Sequence, residues 1–330
     1  MRLRTREERE AIEAELLAPE ATLSTQTKGR AVEEPADALR TAFEVDRDRI
    51  LHSKAFRRLK HKTQVFLNPE GDHFVTRMSH TLQVTQIGRA MAVPLGLNEA
   101  LTEAICLGHD TGHSPFGHTG EDALSPYVEG EWLHSQQSVR LLSVLEPLNL
   151  TWETLDGIRA HSWKVDPPPN TPEGYLCRFA DRIAYLTHDV DDALRGGVVS
   201  LEDLPKEAVD TFGTPGPEWI DTMVRAVIEE TLTEGRVVMR PDVLSVMHRF
   251  RDFMFENVYL GAHSDRQKHA AIWVIRDLVD YFVDNPDEVP GTFRLDDADA
   301  TARAIDYVSG MTDRFALRLH DSLFRPEGIA

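Results

Sequence analysis

Apolar positions recur at helical spacing through most of this chain. Residues 6–17 predict a first helix, and 18–36, rich in Pro, Ser, Thr and Gly, predict an irregular arm. Asp37 is read as the N-cap of helical patterning that runs to about His61, with room for a break. Two short β-leaning runs flank Asn68-Pro-Glu-Gly71, which makes 63–75 a candidate small hairpin. Thr76 to about Val93 predicts a helix ended by Pro94 and Gly96, and Asn98 caps the next, which runs towards His109. Further helices are predicted over 134–146 and 151–162, followed by a proline-rich interruption at 165–172. Beyond a Gly- and Pro-containing connector at 195–216, helical periodicity returns over 217–234, 241–261, 263–284 and 296–325. The reading is an all-α chain with at most one small hairpin near 63–75.

Two helices carry more than packing information. In the helix starting at Thr76, His80, Val84 and Ile87 form one stripe, so His80 is expected to point inward. In the helix from Gly174 to about Leu194, Phe179, Ile183, Leu186 and Val190 lie on one side. Asp181, Tyr185, His188, Asp189 and Asp192 lie on the other. A polar face is usually just solvated, but a tyrosine, a histidine and three acids resemble the wall of a site more closely.

Composition adds limits. With 41% hydrophobic and 28% charged residues, 330 residues are enough for a large core of an ordinary globular kind. No apolar run approaches the ~20 residues that span a bilayer, and the charged N-terminus is followed by no signal-peptide core. Cys106 and Cys177 each sit in apolar helical surroundings and are expected to be buried and unpaired. These features predict a cytoplasmic protein with no membrane contact. A net charge of −19 argues against general nucleic-acid binding. Against that background, RDRILHSKAFRRLKHK (47–62) carries seven Lys/Arg residues and one acid. That run is either a solvated helix face or a local anion site.

The densest chemistry lies in LGHDTGHSPFGHTGE (107–121), where His109, Asp110, His113, His118 and Glu121 fall within thirteen residues. Imidazoles and carboxylates at this density serve as metal ligands or as acid–base groups. Adjacent helical residues point about 100° apart, so His109 and Asp110 can share an ion only with ligands from other elements. His80 and one acid of the 181–192 face would complete two histidines and two carboxylates. Such a set suits Mn, Fe, Co, Ni or Zn, and Mg less well. Three His-Asp dipeptides occur, at 109–110, 188–189 and 320–321. Only the first is followed closely by further histidines, and His320-Asp321 reads as an ordinary helix-end pair.

Arg77-Met-Ser-His80, His109-Asp110 and Asp181 together resemble the H…HD…D pattern of HD-domain metal phosphohydrolases. The strings RDRILHSKAFRRLKHKTQVF (47–66), GHDTGHSPFGHTGE (108–121) and FADRIAYLTHDVDDA (179–193) narrow the likeness. They resemble the bacterial deoxyguanosinetriphosphate triphosphohydrolase-like proteins, over roughly residues 15–195. The resemblance implies hydrolysis of dNTP, dGTP among them, to deoxynucleoside and inorganic triphosphate, by water attack at the α-phosphorus. It implies that His80, His109, Asp110 and Asp181 hold one divalent ion, manganese foremost. His118 would be the catalytic acid, oriented by Glu121, with His113 beside the phosphate. Arg77 and Arg182 would reach the phosphates, and Gln64 and Asp189 the 3′-hydroxyl. Tyr185 would press on the sugar at C2′, and His134 would stand near the active site. The family pattern usually has Asn or Glu after that histidine, whereas this chain has Ser135.

The resemblance also implies a homo-oligomer, in relatives often a hexamer, and in some an activating dNTP at a second site. The chain reads as a single structural unit of an N-terminal helix and irregular arm (1–36), an HD-domain catalytic core (37–195) and a C-terminal helical region packed on that core (196–330). Other readings stay open. An HD phosphohydrolase could act on a nucleoside monophosphate, a cyclic nucleotide or an alarmone, and a nucleotide-sensing scaffold could keep a vestigial site. His80 could be a core histidine, and His113 or His118 could merely cap the glycine-rich turn.

Overall fold

The structure, a computed structural model, describes residues 2–65, 74–259, 265–296 and 298–325. Among these residues it contains fifteen α-helices and no strand. The first nine are α1 (Arg6–Leu16), α2 (Ala42–His52), α3 (Lys54–Arg58), α4 (Arg77–Leu95), α5 (Glu99–Gly108), α6 (His118–Leu124), α7 (His134–Arg140), α8 (Trp152–Ala160) and α9 (Pro172–Arg195). Then come α10 (Lys206–Phe212), α11 (Pro217–Glu234), α12 (Pro241–Met254), α13 (Asp265–Asp284), α14 (Ala300–Ser309) and α15 (Asp313–Phe324).

Local chemistry sets most of the helix ends. The Thr76 and Asn98 side chains accept from Ser79 N and Leu101 N, capping α4 and α5. Pro172 occupies the first turn of α9, where its missing N–H costs nothing, behind the proline-rich interruption. Four expectations need correction. Asp37 caps no helix; its carboxylate accepts from Leu39 N and Arg40 N and pairs with the Arg40 guanidinium. Thr41 caps α2 instead, its amide donating to the Glu44 carboxylate at 2.9 Å, and Ser53 restarts the chain as α3. Pro94 lies inside the last turn of α4, and Gly96, left-handed at φ 65°, ends it. The connector 195–216 contains α10, and 296–325 holds two helices, separated at Gly310–Thr312. Of the expected hairpin, a single antiparallel bridge joins Thr63 to Thr76, and its tip, 66–73, lies outside the described residues.

α4, α5 and α9 pack on one another at the centre, α2 lies across α5, and α8 packs on α5 and α9. Val84, Ile87, Phe179, Ile183, Leu186 and Val190 all fall in this core, as does the contact with α11 and α12 around Trp219 and Phe250. Cys106 and Cys177 are buried there and unpaired. A second apolar group joins α6 and Trp132 to α13, α14 and α15. The last helices therefore pack directly behind the glycine-rich turn. No described helix is long and apolar enough to cross a membrane.

Candidate metal centre and active site

Four side chains from α4, the end of α5 and α9 converge. His80 Nε2 lies 3.1 Å from Asp181 Oδ1. His109 Nε2 lies 3.6 Å from Asp110 Oδ2 and 3.8 Å from Asp181 Oδ1. His109 caps α5 and its Nδ1 meets the Cys106 carbonyl at 2.7 Å, so Nε2 faces the other donors; it has no hydrogen-bond partner although buried. A buried imidazole nitrogen left without a partner, facing carboxylates at these distances, is the arrangement a metal ion satisfies. Two histidines and two carboxylates are a donor set that suits a divalent ion.

Electrostatics agree with that use. Burial alone would raise Asp110, but the charges of His109, Arg77 and His134 outweigh it and hold the carboxyl well below its usual range. Asp181 is likewise lowered, burial being overcome by the His80 hydrogen bond and the His109 charge. Both acids thus stay ionised, as ligands must be. Arg77, also buried, pairs with Asp110 Oδ2 at 2.7 Å.

The turn after Asp110 bends back against α7 and α15. A Cβ on Gly112 would run into the Gln137 and Ser138 backbone, so only glycine lets these segments touch. Phe116 and Gly117 both have positive φ, 63° and 62°. The strained Phe116 amide is held by Asp313 Oδ1 at 3.1 Å, and Asp313 Oδ2 takes the Thr63 amide at 2.9 Å. The turn launches α6 with His118 exposed at its first position, and His118 Nδ1 bonds Glu121 Oε2 at 2.7 Å. The other oxygen of Glu121 meets His134 Nδ1 at 2.6 Å. His113 is buried, stacks on the His134 ring at 4.5 Å and has neither nitrogen bonded. Burial, with Arg77 and His134 adding to it, keeps His113 neutral.

The polar face of α9 is a wall rather than a solvated surface: Asp189 and Asp192 are buried, and Asp181, Tyr185 and His188 half-buried. Asp189 Oδ2 accepts from the Tyr259 hydroxyl at 2.8 Å, while Oδ1 has no partner. Burial pushes Asp189 up to about 7. Tyr185 is flanked by Arg182 and Arg251. Arg182 stands apart from the metal donors, its guanidinium over the Trp163 ring at 3.9 Å and 3.2 Å from His248 Nε2. Gln64 lies with its backbone carbonyl against Gly117 and its Oε1 buried without a partner.

The basic run divides. Arg47 pairs with Asp48 and Glu103, and Arg49 with Glu34. Lys54, Arg57 and Lys60 are exposed. Lys62 is buried and donates to the carbonyls of His113 and Ser309, its amine pushed down to about 7 by burial.

Sequence reasoning missed His161, Arg251 and Tyr259. His161 ends α8 and brings Nε2 to within 3.0 Å of His134 Nε2. A lone histidine in Gly157-Ile-Arg-Ala-His161 carries no spacing signal, because its partners come from other helices. Arg251 and Tyr259 sit where apolar periodicity was the only pattern to read.

Known proteins resemble this chain closely. The HD domain family matches residues 77–186, and the phosphohydrolase-associated domain matches 237–322. A deoxyguanosinetriphosphate triphosphohydrolase-like protein of Caldanaerobacter subterraneus is 48% identical over 98% of this chain and 97% of its own length. Proteins of the same description from Clostridium perfringens and Brucella ovis are 41% and 37% identical, over 99% and 93% of this chain and 99% and 95% of theirs. A hypothetical protein from Aquifex aeolicus superposes with a TM-score of 0.49 at 21% identity, over 86% of this chain and 68% of that one. With its HD motif gathered into a donor set that could hold a metal, and relatives matching over nearly their whole length, the chain belongs to the deoxyguanosinetriphosphate triphosphohydrolase-like family of metal-dependent HD phosphohydrolases.

Proposed function

We propose that the protein is a dNTP triphosphohydrolase that releases inorganic triphosphate from dGTP and other dNTPs. The observation that carries this reading is where unsatisfied buried polar atoms collect. Among the described residues fourteen buried side-chain N or O atoms lack a hydrogen-bond partner, and seven of them belong to His109, His113, Arg77, Arg182, Gln64 and Asp189. Leaving such groups unpaired costs about 1–3 kcal/mol each, so they mark where a ligand completes the bonding. Imidazoles beside carboxylates suit a metal, guanidinium N–H groups suit phosphates, and Gln64 with Asp189 suits a sugar hydroxyl.

In this reading His80, His109, Asp110 and Asp181 hold the divalent ion. When bound, that ion supplies Lewis-acid polarisation of the phosphoryl group and favours ionisation of water. Arg77 and Arg182 bind the triphosphate through N–H groups that have no protein acceptor, and neutral His113 donates to a phosphate oxygen. Water oxygen bonds to the α-phosphorus as the bond from that phosphorus to O5′ breaks. His118 gives O5′ its proton, with Glu121 holding the ring, and the deoxynucleoside leaves with a free 5′-hydroxyl. Tyr185, one turn beyond Asp181 on the same face, closes the space at C2′, and Asp189 with Gln64 takes the 3′-hydroxyl. His134 backs Glu121 rather than touching substrate.

The test is a panel of the four dNTPs, singly and in pairs, with Mn and with Mg, products separated by anion exchange. Triphosphate and deoxynucleoside are the expected products. Release of pyrophosphate or phosphate would move the protein to another HD phosphohydrolase class, and silence on every dNTP mixture would sink the reading. Size-exclusion chromatography with light scattering, with and without dNTP, checks the accompanying proposal of a homo-oligomer assembled or activated by nucleotide.

A further inference from the structure

We infer that His248 is a positioning residue for phosphate binding: with the Trp163 ring it fixes the Arg182 guanidinium so that its remaining N–H groups meet the triphosphate. This role rests on Arg182 being a phosphate ligand, as proposed above.

Two arginines one turn apart on α9 use their donors differently. Arg178 spends its own on the chain. Its Nε donates to the Ala160 carbonyl at 2.7 Å, and Nη2 to those of Ser162 and Val165 at 3.0 Å each. These bonds pin the segment that carries Trp163, whose Nε1 donates to the Arg178 carbonyl at 3.1 Å. The indole also stands edge-on to Phe179, with ring centroids 5.3 Å apart. Trp163 is thus a fixed platform, although it is partly exposed. Arg182 lies on that platform, its guanidinium 3.9 Å from the ring centroid. Cation–π attraction to an indole face sets the plane of a guanidinium but not its rotation within that plane.

His248 of α12 supplies the missing restraint. Its Nε2 lies 3.2 Å from Arg182 Nη1, and its ring stands at 88° to that of Trp163. A guanidinium only donates, so Nε2 accepts and the ring hydrogen sits on Nδ1. Burial, with the charges of Arg182 and Arg251, lowers the His248 pKa and so keeps Nε2 free to accept. One N–H of Arg182 is thereby fixed, while its Nε stays buried without a partner. Arg251 acts on the same Tyr185 as Arg182, so two guanidinium groups face one corner. A buried cation beside a like charge calls for an anion, and phosphate takes guanidinium N–H groups in pairs. Holding Arg182 in advance removes rotamer freedom that binding would otherwise have to remove. The clamp also spans both matched regions, with Trp163 and Arg182 in the HD domain and His248 in the phosphohydrolase-associated domain.

Calorimetric titration of inorganic triphosphate into the full-length, Mn-loaded protein tests this without turnover. His248→Leu is expected to weaken binding about tenfold, with an unchanged helical circular dichroism. His248→Gln, whose amide oxygen can accept from Arg182, is expected to stay within about twofold of wild type. In an Arg182→Ala background, His248→Leu should weaken binding no further. On dNTP, His248→Leu should raise KM and leave kcat in place. Wild-type affinity in His248→Leu overturns the proposal, as does a glutamine variant no better than the leucine one. A loss that persists in full without Arg182, or a fall in kcat at unchanged KM, also overturns it. A wild type that binds no triphosphate does the same. A wild type that binds triphosphate but never releases it from a dNTP sinks the proposed reaction and leaves the clamp standing.

Discussion

The dipeptide His-Asp stands at 109–110 and again at 320–321, and the two copies have opposite fates. At the end of α5 both residues are buried, with His80 and Asp181 arriving from other helices. Near the end of α15, His320 pairs with Asp277 of α13 at 2.9 Å and Asp321 stands 3.8 Å from Arg325, largely in water. The third copy is split: His188 turns its Nδ1 to the Ala184 carbonyl of its own helix, while Asp189 enters the cleft wall. Identical neighbours become a candidate metal-binding pair only where burial removes water and other helices bring donors. An exposed pair has water to satisfy it and contributes only about 0–1 kcal/mol.

Substitutions can break or sharpen that contrast. Asp110→Ala should have the largest effect, abolishing turnover and bound metal together. It also strands the buried Arg77 guanidinium, at a cost of about 3–5 kcal/mol. Elemental analysis and urea unfolding check both halves, and a variant that stays active without metal would refute the ligand assignment. His118→Ala comes next. It should lower kcat about 10²–10⁴-fold while Mn content stays at the wild-type level. Near-normal turnover would take the acid role from His118.

A smaller effect is a pH dependence. Asp189 titrates near 7 in the fold against 3.8 as an ordinary aspartate, so the folded state holds its proton longer. Wild-type stability should therefore be lost as pH rises from about 4 to about 7, by at most about 1.4 kcal/mol per pH unit, relative to Asp189→Asn. Urea unfolding of the two metal-free proteins across that range measures it, and a wild type that holds or gains stability relative to Asp189→Asn as pH rises would contradict the buried, protonated carboxyl. Least of all, Asp321→Ala should change stability by no more than about 0.5 kcal/mol and leave metal content and kcat untouched. A loss of metal in that variant would collapse the distinction between the two dipeptides.

Much of the fold was legible because its signals are local. The stripes of α4 and α9, the caps Thr76 and Asn98, and the proline-rich break before α9 depend on residues a few positions apart. The misreadings have the same origin: Asp37 and Thr41 are both acceptable caps in isolation, and the bond from the Thr41 amide to Glu44 decides for Thr41. In the cleft, the spacing of His80, His109–Asp110 and the α9 acids pointed to a shared site, and the likeness to known sequences narrowed those acids to Asp181.

By itself the sequence determined the helical class, the inward face of α4, the acid-and-tyrosine face of α9 and the stretch that supplies His109 to Glu121. All of these follow from periodicities of three or four residues and from motifs within single segments. Only the tertiary structure decided that Asp313 and Lys62 brace the glycine-rich turn, that Tyr259 meets Asp189, and that His161 meets His134. Those contacts join positions from 27 to 197 residues apart. No local pattern encodes them, because they exist only once packing has removed water from both partners.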